Sequence, residues 1–205
     1  MNERIRQGRV NRNTKETDIE ICWVLDGDGN SDVNSGIGFF DHMITALAKH
    51  GQFDITLACQ GDLDVDGHHT VEDVGICLGQ AFAQGIGSGQ GISRFGSAFV
   101  PMEEALVHAA VDISGRPYLQ ADMNFPQTQV GQFDSYLTLD FFRALTVNAG
   151  ITLHLRQICG DNSHHIIEAA FKAVAQALRQ ASTENKTIKG ALSTKGSLDL
   201  GRNES

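Results

Sequence analysis

The sequence is short of positive charge: 16 lysines and arginines stand against 25 aspartates and glutamates in 205 residues, a net charge of -9. So acidic a chain argues against a nucleic-acid or anionic-membrane partner, both of which need a basic face, and leaves room only for local basic pockets. Long apolar runs are missing as well. None approaches the roughly 18 residues that span a bilayer, and the N-terminus, MNERIRQGRV, lacks the apolar core of a secretory signal. The expected compartment is therefore the cytoplasm. Cysteine is scarce: Cys22, Cys59, Cys77 and Cys159 stand singly in stretches such as IEICWVL and VGICLG, without CxxC spacing. They are expected to be reduced, buried packing residues.

At this length one domain, or two closely packed halves, can bury a sizeable core. Periodicity divides the chain into strands and helices. TDIEICWVL, FDITLACQ and ITLHLRQIC read as strands, and EALVHAAVDISGRPYLQADM as two strands joined at SGRP. Four segments carry apolar residues at helical spacing: GFFDHMITALAKHG, HHTVEDVGICLGQAFAQGIG, FDSYLTLDFFRALTVNAG and SHHIIEAAFKAVAQALRQA. DLDVDG reads as an acidic turn, and the glycine-rich GSGQGISRFGSAFVPM as a connector. The expected fold is α+β, an internal duplication of a strand-strand-helix-strand-helix unit with sheets packed against helix pairs. The halves would cover about 9–90 and 91–182, followed by a tail, 183–205.

Two hexapeptides carry the chemistry. HHTVED begins at His68 and HHIIEA at His164, each with an acid four residues after its first histidine. Superimposing them pairs His68 with His164, His69 with His165 and Glu72 with Glu168; with a two-residue gap, HMITAL from His42 falls on DFFRAL from Asp140. Residues i and i+4 share a helix face, so His68 with Glu72, and His164 with Glu168, can each grip one ion. The second histidine of each pair points roughly 100° away. Exchange resolves this: one ion takes His164, Glu168 and His69, the other His68, Glu72 and His165, with His42 and Asp140 available to complete the spheres. Imidazole and carboxylate donors suit Mn, Fe or Zn, and the lack of cysteine among them weighs against a structural zinc site. A duplication that merely preserved two helix N-termini would account for the acids but not for the paired histidines.

FFDHMITALAKHG, DGHHTVEDVGICLG, GISRFG, PMEEALVHAAVDISGRPY, NSHHIIEAAFKAVAQALRQA and STKG together resemble the imidazoleglycerol-phosphate dehydratases of histidine biosynthesis, from about Arg9 to Leu198. The resemblance implies a lyase that converts D-erythro-imidazole-glycerol phosphate to imidazole-acetol phosphate with two Mn2+ ions per active site. It implies that His42, His69, His164 and Glu168 hold one ion, and that His68, Glu72 and His165 supply three ligands to the other. The eighth position, commonly histidine in the family, is Asp140 here, a carboxylate that can also ligate Mn. Because the proton to be lost lies next to no carbonyl, the imidazole ring has to store the electrons. Gripped as imidazolate by both metals, it would expel the adjacent hydroxyl to give a diazafulvene-like species, and proton loss would then yield the enol.

The same resemblance assigns phosphate contacts to Arg94 in GISRFG, Arg116 in SGRP, and Ser193, Thr194 and Lys195 in STKG, where guanidinium forks and hydroxyls match phosphate oxygens. His42, His68 and His164 are expected to face substrate as well as metal, and His50 and Lys172 lie in motifs that line the family's site. Glu16, Glu72 and Glu168 are the candidate proton-transfer groups. The tail reads as a terminus without regular structure that orders over the substrate. His108 and His154 read as sheet-face residues and Trp23 as core. The family assembles as a 24-mer, a hollow octahedral shell with metal sites at subunit contacts, so metal-dependent homo-oligomerisation is expected. Two other classes account for parts of the pattern. One is another metal-dependent lyase or hydrolase of a small polyol phosphate; the other is a non-catalytic metal-binding assembly protein, which would have no use for Arg94, Arg116 and Lys195.

Overall fold

Alternation of buried and exposed residues builds two four-stranded sheets in the computed structural model, which describes residues 5–198. The first sheet holds β1 (Gln7–Asn13), β2 (Thr17–Val24), β4 (Asp54–Gly61) and β3 (Ser31–Asn34), in that spatial order. β2 runs antiparallel to both neighbours, and β3 lies parallel to β4. The second sheet has the same connectivity: β5 (Phe95–Met102), β6 (Ala105–Ile113), β10 (Ile151–Cys159) and β7 (Tyr118–Asp122), with β7 parallel to β10. Among the described residues a short ribbon, β8 (Gln129–Val130) with β9 (Phe133–Asp134), occurs in the second unit without a counterpart in the first.

Four helices fill the space between the sheets: α1 (Gly38–Gly51), α2 (His68–Ile86), α3 (Leu137–Ala149) and α4 (Ser163–Ser182). α1 and α2 lie on the first sheet, α3 and α4 on the second, and across the middle α1 meets α4 while α2 meets α3. The fold is thus α+β with each helix pair assembled from both units. The core follows from this layering. Trp23 is fully buried, its ring 5.3 Å from those of Phe53 and Phe82, and Phe171 of α4 packs 5.1 Å from Phe141 and 4.8 Å from Phe142 of α3. Among the described residues no helix is long and apolar enough to cross a membrane.

Two glycines set the distance between long helix and sheet. A Cβ on Gly8 of β1 would lie 2.0 Å from the Ala81 carbonyl oxygen of α2, and one on Gly96 of β5 would lie 2.0 Å from that of Ala177 in α4. From His68 to Ala81 and from His164 to Ala177 is thirteen residues in both copies, so each helix rests on its sheet at the same point.

Several local expectations change. The supposed connector contains β5, with Phe95 and Phe99 on its outer face, and β1 and β3 extend the first sheet beyond what periodicity disclosed. Only Cys77 is buried; Cys22 and Cys59 are half-buried and Cys159, at the end of β10, is exposed. Burial pushes the Cys59 thiol up to about 11 and the Cys77 thiol up to about 12. His108 and His154 do lie on the outer face of the second sheet, His108 accepting or donating at 2.7 Å to Ser97 Oγ. Among its described residues the tail has no helix, yet it is tied down: Glu184 bridges Ile92, the Asn185 N–H donates to the Gly91 carbonyl, and the Gly91 N–H donates to that of Gly190. Its last part, 199–205, lies outside the described residues.

Candidate active site

Both histidine pairs open a long helix. Asp66 and Asn162 stand at matching places two residues upstream, and their side-chain oxygens accept the backbone N–H of His68 at 2.7 Å and of His164 at 2.9 Å. Each pair therefore projects from a first helical turn whose phase is fixed. The final acid of HHTVED has a different task. Asp73 is buried, accepts from the Thr17 hydroxyl and pairs with Arg12 at 3.0 Å, so it locks α2 to the first hairpin.

One set of predicted ligands converges. Nε2 of His42, from α1, and Nε2 of His164, from α4, lie 3.2 and 3.1 Å from the same oxygen of Glu168, Oε2. The three donor atoms all fall within 4.8 Å of one another. Ligands held by bonds of about 2.0–2.2 Å stand about 3 Å apart around an ion, so this spacing fits a divalent metal. The second oxygen of Glu168 accepts from Lys172 Nζ at 2.6 Å. Burial pushes the Glu168 carboxyl up, but the hydrogen bonds and charges of Lys172 and His42 outweigh it and hold the group below its usual range. It is a carboxylate with both oxygens engaged. His50, at the end of α1, is held below the usual histidine range by desolvation and by the Lys172 charge, so it is predominantly neutral at pH 7.

The second set is more open. His68 Nε2 lies 3.7 Å from Glu72, while its other nitrogen, Nδ1, lies 3.8 Å from Asp140, which also faces Arg143 at 3.5 Å. The two acids approach opposite sides of one ring. Asp140 thus joins His68 across the α2–α3 contact without closing a three-donor group.

His69 and His165 go elsewhere. His69 Nδ1 meets Asp62 at 3.0 and 3.2 Å and its Nε2 lies 3.9 Å from Glu16. His165 Nδ1 meets Glu104 Oε2 at 2.7 Å, and Glu104 Oε1 accepts the backbone N–H of Asn162 at 3.1 Å. The His165 hydrogen bond, with backbone N–H donors, lowers the Glu104 carboxyl to about 2, and both histidines are raised above the usual range by their carboxylates. Among the described residues, neither histidine joins the His42–His164–Glu168 cluster of its own chain; His165 belongs instead to a second three-donor group with Glu103 and Glu104. The exchange of ligands expected from helical phase is therefore not made within one copy. Asp62 and Glu104 escaped the sequence reading; their only signal was an acid in each of the quoted motifs DLDVDG and PMEEAL.

The five predicted phosphate contacts share one cavity of about 630 Å³, lined by Arg94, Arg116, Ser193, Thr194 and Lys195 and joined by Lys189. Arg94 has a left-handed backbone, φ 67°, unusual for a residue with a side chain. Its Nε and Nη2 fork onto Asp112 at 2.7 and 3.1 Å, and Nη1 donates to the Leu192 carbonyl at 2.6 Å, fastening the tail over the sheet edge. Arg116 stays 64% exposed, 3.7 Å from Asp112, with donors to spare. The metal-ligand candidates are not among the lining residues of this cavity.

Comparison with known proteins converges on one family. Residues 35–178 match the profile described as imidazoleglycerol-phosphate dehydratase. A dehydratase of that name from Gluconobacter oxydans is 57% identical over 199 residues, 97% of this chain and the whole of the other, and one from Alkaliphilus metalliredigens is 54% identical over 94% of this chain and 99% of its own. A crystal structure of the dehydratase from Staphylococcus aureus superimposes with a TM-score of 0.80 at 37% identity, covering 87% of this chain and 99% of that one. A Pyrococcus furiosus structure, solved in complex with (S)-C348, gives the same TM-score and identity over 92% of this chain and all of that one.

Proposed function

The chain belongs to the imidazoleglycerol-phosphate dehydratase family and is an enzyme of that class, a lyase of histidine biosynthesis, and from this premise we propose that its active site is completed by two Mn2+ ions and by neighbouring copies of the chain. The observation that carries the proposal is the meeting of His42, His164 and Glu168, against which His69 and His165 of the same copy face away. One copy supplies three donors, and the fourth comes from the His69 of another. His68, Glu72 and Asp140 form the counterpart set, which the His165 of another copy closes.

Two such ions would supply Lewis acidity toward the ring nitrogens and favour the imidazolate that the elimination requires. The protein's own groups do the rest. Lys172 holds Glu168 as a carboxylate, and desolvation and the Lys172 charge favour the neutral form of His50, which leaves that ring a lone pair to accept a proton. Glu16 brings a carboxylate to the Nε2 side of His69, where it serves to hold a substrate hydroxyl or to move a proton. Arg116, Lys195, Ser193 and Thr194 take the phosphate, while Arg94 anchors the tail that carries three of them and offers its remaining N–H groups. The acidic chain thus concentrates cations where a dianion binds.

The test is turnover of imidazole-glycerol phosphate by metal-stripped protein to which Mn2+ is added back, with bound metal counted per chain. Activity should return with two ions per chain, related polyol phosphates should be turned over poorly, and light scattering should show a larger particle with Mn2+ than with chelator. Glu168→Gln should lose turnover and lower the metal count. Full turnover in the metal-free protein or in Glu168→Gln, or equal particle sizes, would count against the proposal.

A further inference from the structure

We propose that Asp62 and Glu104 are positioning residues that hold His69 and His165 by Nδ1 and so preset Nε2 as the atom each gives to a neighbouring subunit's ion. The inference rests on the shared-metal reading above and adds to it the groups that make the exchanged ligands ready before a partner arrives.

A neutral imidazole has one N–H and one lone pair, and a carboxylate only accepts. Where a carboxylate meets Nδ1, that nitrogen must carry the hydrogen, and Nε2 keeps the lone pair that a metal needs. Both outward histidines have this arrangement: Asp62 at 3.0 Å from His69 Nδ1 and Glu104 at 2.7 Å from His165 Nδ1. At 2.7 Å the His165 contact is a hydrogen bond with no room for an ion between the two atoms. Glu104 is itself fixed, since its other oxygen accepts from the backbone of Asn162 and Asp161, at the start of the helix that carries His165.

The two carboxylates do not descend from one ancestral position. Asp62 follows β4, seven residues before its histidine, whereas Glu104 sits in the β5–β6 turn, sixty-one residues before its own. The first-unit position equivalent to Glu104 is Glu16, eight residues after Gly8 as Glu104 is eight after Gly96, and it lies 3.9 Å from His69 Nε2. The Nδ1 contact in that unit is made by Asp62 instead, so a carboxylate meets Nδ1 in both units although the inherited one does so only in the second. Among the described residues His42 and His164 have no carboxylate on Nδ1, and they turn Nε2 onto Glu168 of their own chain. The side chains of His69 and His165 retain 33% and 20% of their exposure, enough for the free edge of each ring to reach an incoming copy.

The experiment compares full-length wild type with Asp62→Asn and Glu104→Gln, using Asp64→Asn on the same loop as a charge control and His164→Ala as a test of the metal reading. Mn2+ affinity is measured by electron paramagnetic resonance. Histidine tautomers are read in the metal-free proteins from long-range proton–nitrogen NMR spectra, above the titration range of these rings. We expect each positioning variant to bind Mn2+ about 10–100-fold more weakly, with assembly shifted to higher Mn2+ and with His69 or His165 passing from the Nδ1–H to the Nε2–H tautomer. Asp64→Asn should match wild type. A residue that merely supported the fold would lower the metal-free melting temperature without changing the tautomer, and that pattern in both variants would overturn the inference. So would unchanged Mn2+ affinity in both while His164→Ala loses binding, which leaves the metal reading standing. Wild type that binds no Mn2+ would overturn both. The two variants lie in separate loops, so misfolding of one leaves the other decisive.

Discussion

Gly96→Ala tests whether the histidine-bearing helices are seated by glycine contacts. The added Cβ would sit 2.0 Å from the Ala177 carbonyl oxygen and 2.9 Å from the Ala181 nitrogen, both backbone atoms of α4 that no rotamer change can move. To reach an ordinary contact of 3.4 Å, helix and strand must part by about 1.4 Å at that point. α4 holds Phe171 in the core and His164, His165 and Glu168 at its start, so the strain spreads to both. Overpacking of this kind costs about 1–3 kcal/mol, which for a chain of this size lowers Tm by about 2–12 °C. A displacement of about 1 Å at the ligand end is enough to cost on the order of 100-fold in turnover. The assay pairs the urea midpoint of metal-free protein with Mn2+-dependent turnover. Gly8→Ala, which meets Ala81 of α2 in the same way, should behave alike, whereas Gly38→Ala meets nothing within 4 Å and should stabilise by up to about 1 kcal/mol. Wild-type midpoints and turnover in both Gly96→Ala and Gly8→Ala would refute the reasoning.

Two further outcomes concern titratable groups away from the site. Asp26 accepts from Arg6 Nε at 2.8 Å, and Arg6 also donates to the Ser182 carbonyl at the end of α4; the Arg6 hydrogen bond holds the Asp26 carboxyl below its usual 3.8. A carboxyl lowered by folding stabilises above its unfolded value and loses that contribution as pH falls through the lower folded one. Wild type should therefore lose its advantage over Asp26→Asn as denaturation is followed from pH 5 downward. With Asp26 43% exposed, the difference at pH 7 should stay below about 1 kcal/mol. Thiol labelling of native protein at pH 8 should modify Cys159 first and leave Cys77, buried with its thiol pushed up to about 12, untouched until the chain unfolds. Peptide mapping by mass spectrometry reads both sites.

The helices were legible because their apolar period is regular and their ends are marked. The expected α1 matches Gly38–Gly51, and α2 and α4 begin at or one residue before their histidine pairs as the motifs required. α3 was expected four residues too early, since Phe133 and Asp134 alternate as the ribbon strand β9 before the helix begins at Leu137. Two of the hidden strands, β1 and β5, have a common cause. In β1 and β5 an inward position that would announce a strand with a large apolar residue is Gly8 or Gly96, kept bare so that a helix backbone can come close. The packing that seats the histidine helices thus erased the signal of the strands beneath them.

The site was legible to the same depth. Helical phase showed that one ion cannot be gripped by both histidines of a pair, and the structure agrees: His164 turns toward His42 and Glu168, while His165 turns toward Glu104. Spacing along one chain has no term for a second copy, however, and so it could not say where an exchanged ligand goes. Nor could it pair His69 with Asp62 or His165 with Glu104, because those carboxylates arrive from a loop and a hairpin turn whose positions depend on the finished sheets. Asp140 marks the difference between the two kinds of information. Its place opposite His42 followed from the repeat, but its approach to His68 on the Nδ1 side, opposite Glu72, follows from how α3 crosses α2. A ring approached by acids on both sides can give an ion only one nitrogen. If two ions bind as proposed, bringing Glu72 and Asp140 to one ion requires the His68 ring to turn, and the neighbouring copy would weigh more at the second ion than at the first.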